Sequence, residues 1–129
     1  MWESFKEYMV LQCRKNPTNV AEIGVGKFNA VYDFLESFDH INIIKTDIMP
    51  NDNDVIKDDI VNPNLELYKN MDIIYSIRPP SELQPYLVNL ALKINSQLII
   101  KPLTNEDLNT GKIKMKLKNF KKTSFYTLK

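Results

Sequence analysis

The chain has 129 residues, 43% hydrophobic and 26% charged, a length that suits one domain, residues 1–129, with a real core. It contains no apolar run near the ~20 residues that cross a bilayer, and with one cysteine and one histidine it has no disulfide, thiolate zinc site or paired-histidine metal site. Seventeen basic and sixteen acidic side chains nearly cancel, yet residues 112–129 hold seven lysines and no acid, which leaves the rest of the chain acidic.

The start, MWESFKEYMV, reads as no secretory signal, so a cytoplasmic setting is expected. Residues 2–15 predict an amphipathic helix with Trp2, Phe5, Met9 and Cys13 on one stripe. Pro17 ends it. Val20–Ile23 predicts a buried strand running into Gly24-Val25-Gly26, and helical spacing returns from Lys27 to Phe38. Ile41–Thr46 predicts a second strand, stopped by Asp47 and Pro50. Val55–Asp59 suggests a short third strand and Leu65–Asn70 a turn or two of helix. Asp72–Ile77 predicts a fourth strand, cut by Arg78-Pro79-Pro80.

Ser81 then reads as a helix N-cap, with Leu83, Leu87, Leu90 and Ile94 as the buried stripe and Pro85 in the first turn. Gln97–Leu103 predicts a fifth strand. Lys112–Lys118 alternates lysine with Ile113, Met115 and Leu117, a period-two strand with one wet face, and Thr123–Leu128 returns beside it as a hairpin. Strands alternating with helices argue an α/β, Rossmann-like, mostly parallel five-stranded sheet with helices on both faces and a C-terminal β-hairpin.

Ligands of such sheets sit outside the carboxyl ends of the strands. Three of those ends carry unusual residues: Glu22-Ile23-Gly24-Val25-Gly26, Thr46-Asp47-Ile48, and Ser76-Ile77-Arg78-Pro79-Pro80. Glycines let a ligand approach the backbone, or simply shape a strand-to-helix turn. Asp47, 21 residues beyond Gly26, stands where an acid takes vicinal ribose hydroxyls. The dinucleotide pattern wants a third glycine where this chain has Asn29, which counts against a pyrophosphate ligand. The acids Asp47, Asp52, Asp54, Asp58 and Asp59 lack the EF-hand mid-loop glycine and read as a solvated loop, so no metal site is assigned.

Glu22-x-Gly24-x-Gly26 resembles the opening of class I S-adenosylmethionine-dependent methyltransferases. Asp47 resembles their ribose-binding acid, Asp59-Ile60 the pair whose acid faces the adenine amino group, and Ser76–Pro80 their fourth motif. More closely, the runs AEIGVGKFNAV, KTDIMP, DDIVNP and YSIRPPSELQPYL resemble a small uncharacterised family of archaeal, mainly methanogen, proteins with a Rossmann-like fold, across roughly residues 15–103. The resemblance implies a pocket for a small nucleoside-type ligand, S-adenosylmethionine or S-adenosylhomocysteine. In it Gly24 and Gly26 would admit the ligand to the backbone, Glu22 would bind its amino end and Asp47 the ribose. Ile48 and Ile60 would sandwich adenine, with Asp59 on its amino group. Pro79 and Pro80 would line the methyl-donor side, and Ser76 and Arg78 would orient an acceptor if the protein is an enzyme. Two departures stand against methyl transfer. Phe28 replaces a glycine-like position and would crowd the methionine end, and Arg78-Pro79-Pro80 replaces the Asn-Pro-Pro-aromatic of amino-methylating enzymes.

Two other readings stand beside it. One is a non-catalytic binding or regulatory module of the same fold. The other is an RNA-associated protein whose Lys112, Lys114, Lys116 and Lys118 attract phosphates, although lysines on an edge strand also guard against sheet-to-sheet aggregation. The oligomeric state leaves no mark in the sequence.

Overall fold

The computed structural model describes residues 2–102 and 108–129. The chain runs α1 (Glu3–Gln12), β1 (Thr18–Ile23), α2 (Ala30–Glu36), β2 (Ile41–Asp47), β3 (Ile56–Lys57), α3 (Leu65–Tyr68), β4 (Ile73–Ile77), α4 (Gln84–Ile94), β5 (Gln97–Lys101), β6 (Lys116–Phe120) and β7 (Thr123–Leu128). The seven strands form one sheet in the order β3-β2-β1-β4-β5-β7-β6. Strands β1 to β5 are parallel, as the strand-helix alternation predicts. The hairpin closes the sheet with β7, not β6, against β5, and both of its pairings are antiparallel.

Both faces of the sheet are covered, so the central strands are apolar nearly throughout. On one face Phe5, Met9 and Cys13 of the N-terminal stripe pack with Val31, Leu35, Tyr75, Ile99 and Phe125. On the other, Leu87, Leu90 and Ala91 of α4 and Tyr68 of α3 cover Ala21, Ile74, Leu98 and Ile100. Among the described residues no helix is long and apolar enough to cross a membrane.

Several boundaries differ from the sequence expectation. The second helix begins at Ala30, because Gly24 and Gly26 both adopt positive φ and the chain turns through Lys27–Asn29 before it can wind. Ser81 is not an N-cap: it opens a single 3-10 turn, Ser81–Leu83, and α4 starts after it with Pro85 in the first turn. The third strand is reduced to two residues. Leu103, at the end of the expected fifth strand, lies outside the described residues. The lysine-rich strand is displaced to Lys116–Phe120 and has no dry face there. Residues 116–119 are all exposed, Leu117 by 53%, because β6 is the outermost strand of the sheet. Only Phe120 reaches inward, edge-on to Tyr8. His40 is held at the start of β2, where its Nε2 lies 3.1 Å from the Cys13 carbonyl oxygen.

Candidate functional site

The carboxyl ends of β1, β2 and β4 open into a cavity of about 470 Å³, within the usual range for a small-molecule site. Its wall includes Gly24 after β1, Asp47 and Ile48 at the end of β2, Asp59 and Ile60 beyond β3, and Ser76, Arg78, Pro79 and Pro80 at the end of β4. Leu83 and Leu87 close the side toward α4. Of the residues that the sequence singles out, Glu22 and Gly26 are not in this wall.

Gly24 has φ 72°, a left-handed conformation that L side chains rarely adopt. Its N–H donates to the Thr46 carbonyl at 2.9 Å and ties the glycine turn to β2. Gly26 shapes the same turn and gives its N–H to Asp47 Oδ2 at 2.8 Å, while Asp47 Oδ1 accepts from Met49 N–H at 2.9 Å. The Asp47 carboxylate thus fixes two loops at once. Each of its oxygens keeps a second lone pair for a ligand donor. Asp59 Oδ1 accepts from Val61 N–H at 3.0 Å, and Oδ2 has no partner among the described residues. Ile48 presents a side chain 54% exposed, whereas Ile60 is buried in the floor.

Asp58 is a wall residue that sequence reasoning did not assign. Its Oδ2 accepts from the Tyr68 hydroxyl at 2.8 Å, and Oδ1 accepts from Asn64 N–H at 3.0 Å. Tyr68 in turn lies 3.1 Å from Thr46 Oγ1, so a buried phenol links β2 to the loop after β3. Burial is the main reason that its hydroxyl stays protonated well above the ordinary range. Ser76 is also committed: its hydroxyl donates to the Ile23 carbonyl at 2.7 Å, which binds β4 to β1.

Glu22 corrects the expectation that it meets the ligand. Strand alternation sends its side chain to the α1/α2 face, opposite Ile23, where it is 1% exposed and accepts from the Tyr75 hydroxyl at 2.5 Å. Burial raises its pKa to about 7, opposed by the Tyr75 hydrogen bond and by Lys45, and reinforced by Asp33. The folded protein therefore holds this proton at pH values where the unfolded chain has released it. Stability should fall as pH rises from about 4.5 to 7 and then level off, by roughly 3 kcal/mol in all. Thermal melts across that range should show the decline, and Glu22→Gln should flatten it. An unchanged slope in Glu22→Gln would place its origin elsewhere.

Phe28 corrects a second expectation. Its ring packs against Trp2 with centroids 4.7 Å apart and is not in the cavity wall, so it does not crowd the ligand there. Asp54 pairs with the buried Lys45 at 3.2 Å, and no group of three metal-ligating side chains occurs among the described residues.

A seven-stranded sheet in this order, with helices on both faces and a cavity at the strand ends, is the fold of the class I methyltransferases. The structure of an S-adenosyl-L-methionine methyl transferase from Silicibacter pomeroyi superposes with a TM-score of 0.62 at 9% identity, over 98% of this chain and 89% of that one. The structure of MtNAS in complex with MTA and tNA gives 0.59 at 12% identity, and there the chain spans only 59% of its neighbour. At such low identity the likeness is one of fold.

Sequence similarity places the chain more narrowly. It belongs to the uncharacterised protein family UPF0146, whose profile matches residues 2–129. The UPF0146 protein of Methanothermobacter thermautotrophicus is 40% identical over 126 residues, 98% of this chain and 93% of its own. That of Methanocaldococcus jannaschii is 45% identical over 118 residues, 86% of this chain and 83% of its own.

Proposed function

We propose that the protein binds S-adenosylmethionine or S-adenosylhomocysteine in the cavity at the carboxyl ends of β1, β2 and β4. The observation that carries this reading is the convergence of Gly24, Asp47, Ile48, Asp59 and Ile60, from three separate stretches of chain, on one hollow. The residues present suit an adenosine. The spare lone pairs of Asp47 accept the two ribose hydroxyls, Ile48 and Ile60 offer apolar surfaces to the two faces of adenine, and Asp59 Oδ2 accepts from its amino group. When bound, S-adenosylmethionine would supply an activated methyl. The chain's own residues would contribute orientation, with Pro79 and Pro80 setting the wall beside Arg78.

Calorimetry with S-adenosylmethionine, S-adenosylhomocysteine and NAD tests the reading. Binding of the first two in preference to NAD supports it, and no heat with any of the three removes it. A second reading, binding without catalysis, is favoured by the state of Ser76. Its one proton is given to the Ile23 carbonyl, so it has none to donate to an acceptor and only its oxygen lone pairs remain. In this reading the cofactor binds, and no methyl is transferred to any acceptor offered.

A further inference from the structure

Arg78 is built in a way that the nucleoside reading does not use. It has φ 55°, a conformation that L residues rarely adopt and that a following proline disfavours further. Its N–H is pinned to the Lys101 carbonyl at 2.6 Å. Glycine would meet this backbone at lower cost, so the side chain must justify the position. The guanidinium lies 5.5 Å from the Trp2 ring centroid and 5.3 Å from that of Phe28. Cation–π contact with aromatic faces steadies an arginine while leaving its N–H donors available. Those donors meet no acceptor and no carboxylate among the described residues, although the side chain is exposed and forms part of the cavity wall.

Lys101, on the neighbouring strand β5, adds a second cation. Its Nζ donates to the Ser124 carbonyl at 2.9 Å and has no carboxylate partner among the described residues. Burial, and then the Arg78 charge, lower its pKa, which places the two cations within each other's field. Two cations with no carboxylate partner among the described residues, one of them set against a pair of aromatic rings, complement an anion with paired oxygens.

We propose that Arg78, steadied by Trp2 and Phe28 and backed by Lys101, forms an anion subsite opening onto the cavity, for a carboxylate or phosphate. The proposal rests on the nucleoside reading only for the identity of the neighbouring ligand. Two sources would supply that chemistry: the carboxylate of the nucleoside's own amino-acid tail, or an anionic second substrate.

Trp2 is the one tryptophan of the chain, so its fluorescence reports on this stack directly. The intact protein is titrated with inorganic pyrophosphate and with succinate at fixed ionic strength, with chloride as the control. A saturable change with either anion and none with chloride is expected. The half-saturation point should rise at least ~10-fold in Arg78→Gln and less in Arg78→Lys, which keeps the charge and loses the fork. Lys101→Met should weaken binding with the stack intact. No saturable response, or an Arg78→Gln curve identical to that of the wild type, would overturn the subsite.

Calorimetry with S-adenosylhomocysteine and with 5′-methylthioadenosine separates the sources. If Arg78→Gln weakens only the former, the anion is the nucleoside's own carboxylate. If it weakens neither while the pyrophosphate response is lost, the anion belongs to a second molecule. A saturable pyrophosphate response in a protein that binds no nucleoside would keep the subsite and discard the nucleoside reading.

Discussion

Asp47→Ala should weaken S-adenosylhomocysteine binding by roughly 1.5–3 kcal/mol, or roughly 10- to 150-fold in Kd. The range is that of hydrogen bonds to a charged group, since the ribose hydroxyls would lose an ionised acceptor. The substitution has a second consequence, because the same carboxylate holds Gly26 N–H and Met49 N–H. Losing both bonds loosens the glycine turn, so a modest fall in Tm should accompany the loss of affinity. Asp47→Asn retains one acceptor oxygen and should recover much of the Tm but little of the affinity. Isothermal calorimetry and thermal melts on the two variants read these effects apart. An Asp47→Ala protein that binds with unchanged Kd would move the ribose elsewhere.

Phe5→Ala should cost about 3–5 kcal/mol of folding stability, the usual range for emptying a buried phenylalanine site. Phe5 has no exposed surface, and its ring sits edge-on to Phe125, Tyr75 and Trp2 at centroid distances of 5.5, 6.5 and 6.1 Å. The cavity left behind lies between α1 and the sheet, where β4 and β7 cannot collapse into it without breaking their pairing with β5. Against a typical total of about 5–15 kcal/mol, a loss of this size removes much of the margin. Urea denaturation should show a lowered midpoint with an unchanged slope. Leu11→Ala on the same helix, where the side chain is 52% exposed, should stay within about 0.5 kcal/mol. If the two variants melted alike, α1 would not be the lid of this core.

The parallel strands and the crevice at their carboxyl ends are legible in the sequence because both follow from local signals. Apolar runs stopped by glycine, aspartate or proline mark strand ends, and in a parallel sheet those ends gather on one side. Gly24, Asp47 and Arg78, each at a break in periodicity, and Ser76, two residues before one, line that cavity. Glu22 was misplaced because the apolar run Val20–Ile23 hides its own alternation. In a strand buried on both sides, nothing in the sequence says which parity faces the ligand.

Other features were out of reach because they join distant segments. The Trp2–Phe28–Arg78 stack draws on three parts of the chain, each of which alone reads as an ordinary aromatic or a strand stop. The Tyr68–Asp58 bond is hidden in the same way, since Asp58 looks like one more acid in a solvated loop. The hairpin's order, with β7 inside β6, depends on which strand brings the better apolar face to β5. Thr123, Phe125 and Thr127 are buried, while Lys116–Asn119 are exposed. The lysines, whose pattern in the sequence reads as guarding an edge strand, do occupy the outer position.

The most direct measurement is a ¹⁵N-resolved NMR titration of the protein with S-adenosylhomocysteine. Saturable amide shifts concentrated at Gly24, Asp47, Ile48, Asp59 and Ser76, with the β6–β7 hairpin unmoved, are the predicted result. An unperturbed spectrum at millimolar nucleoside, or shifts confined to the hairpin, would contradict an adenosine site at these strand ends.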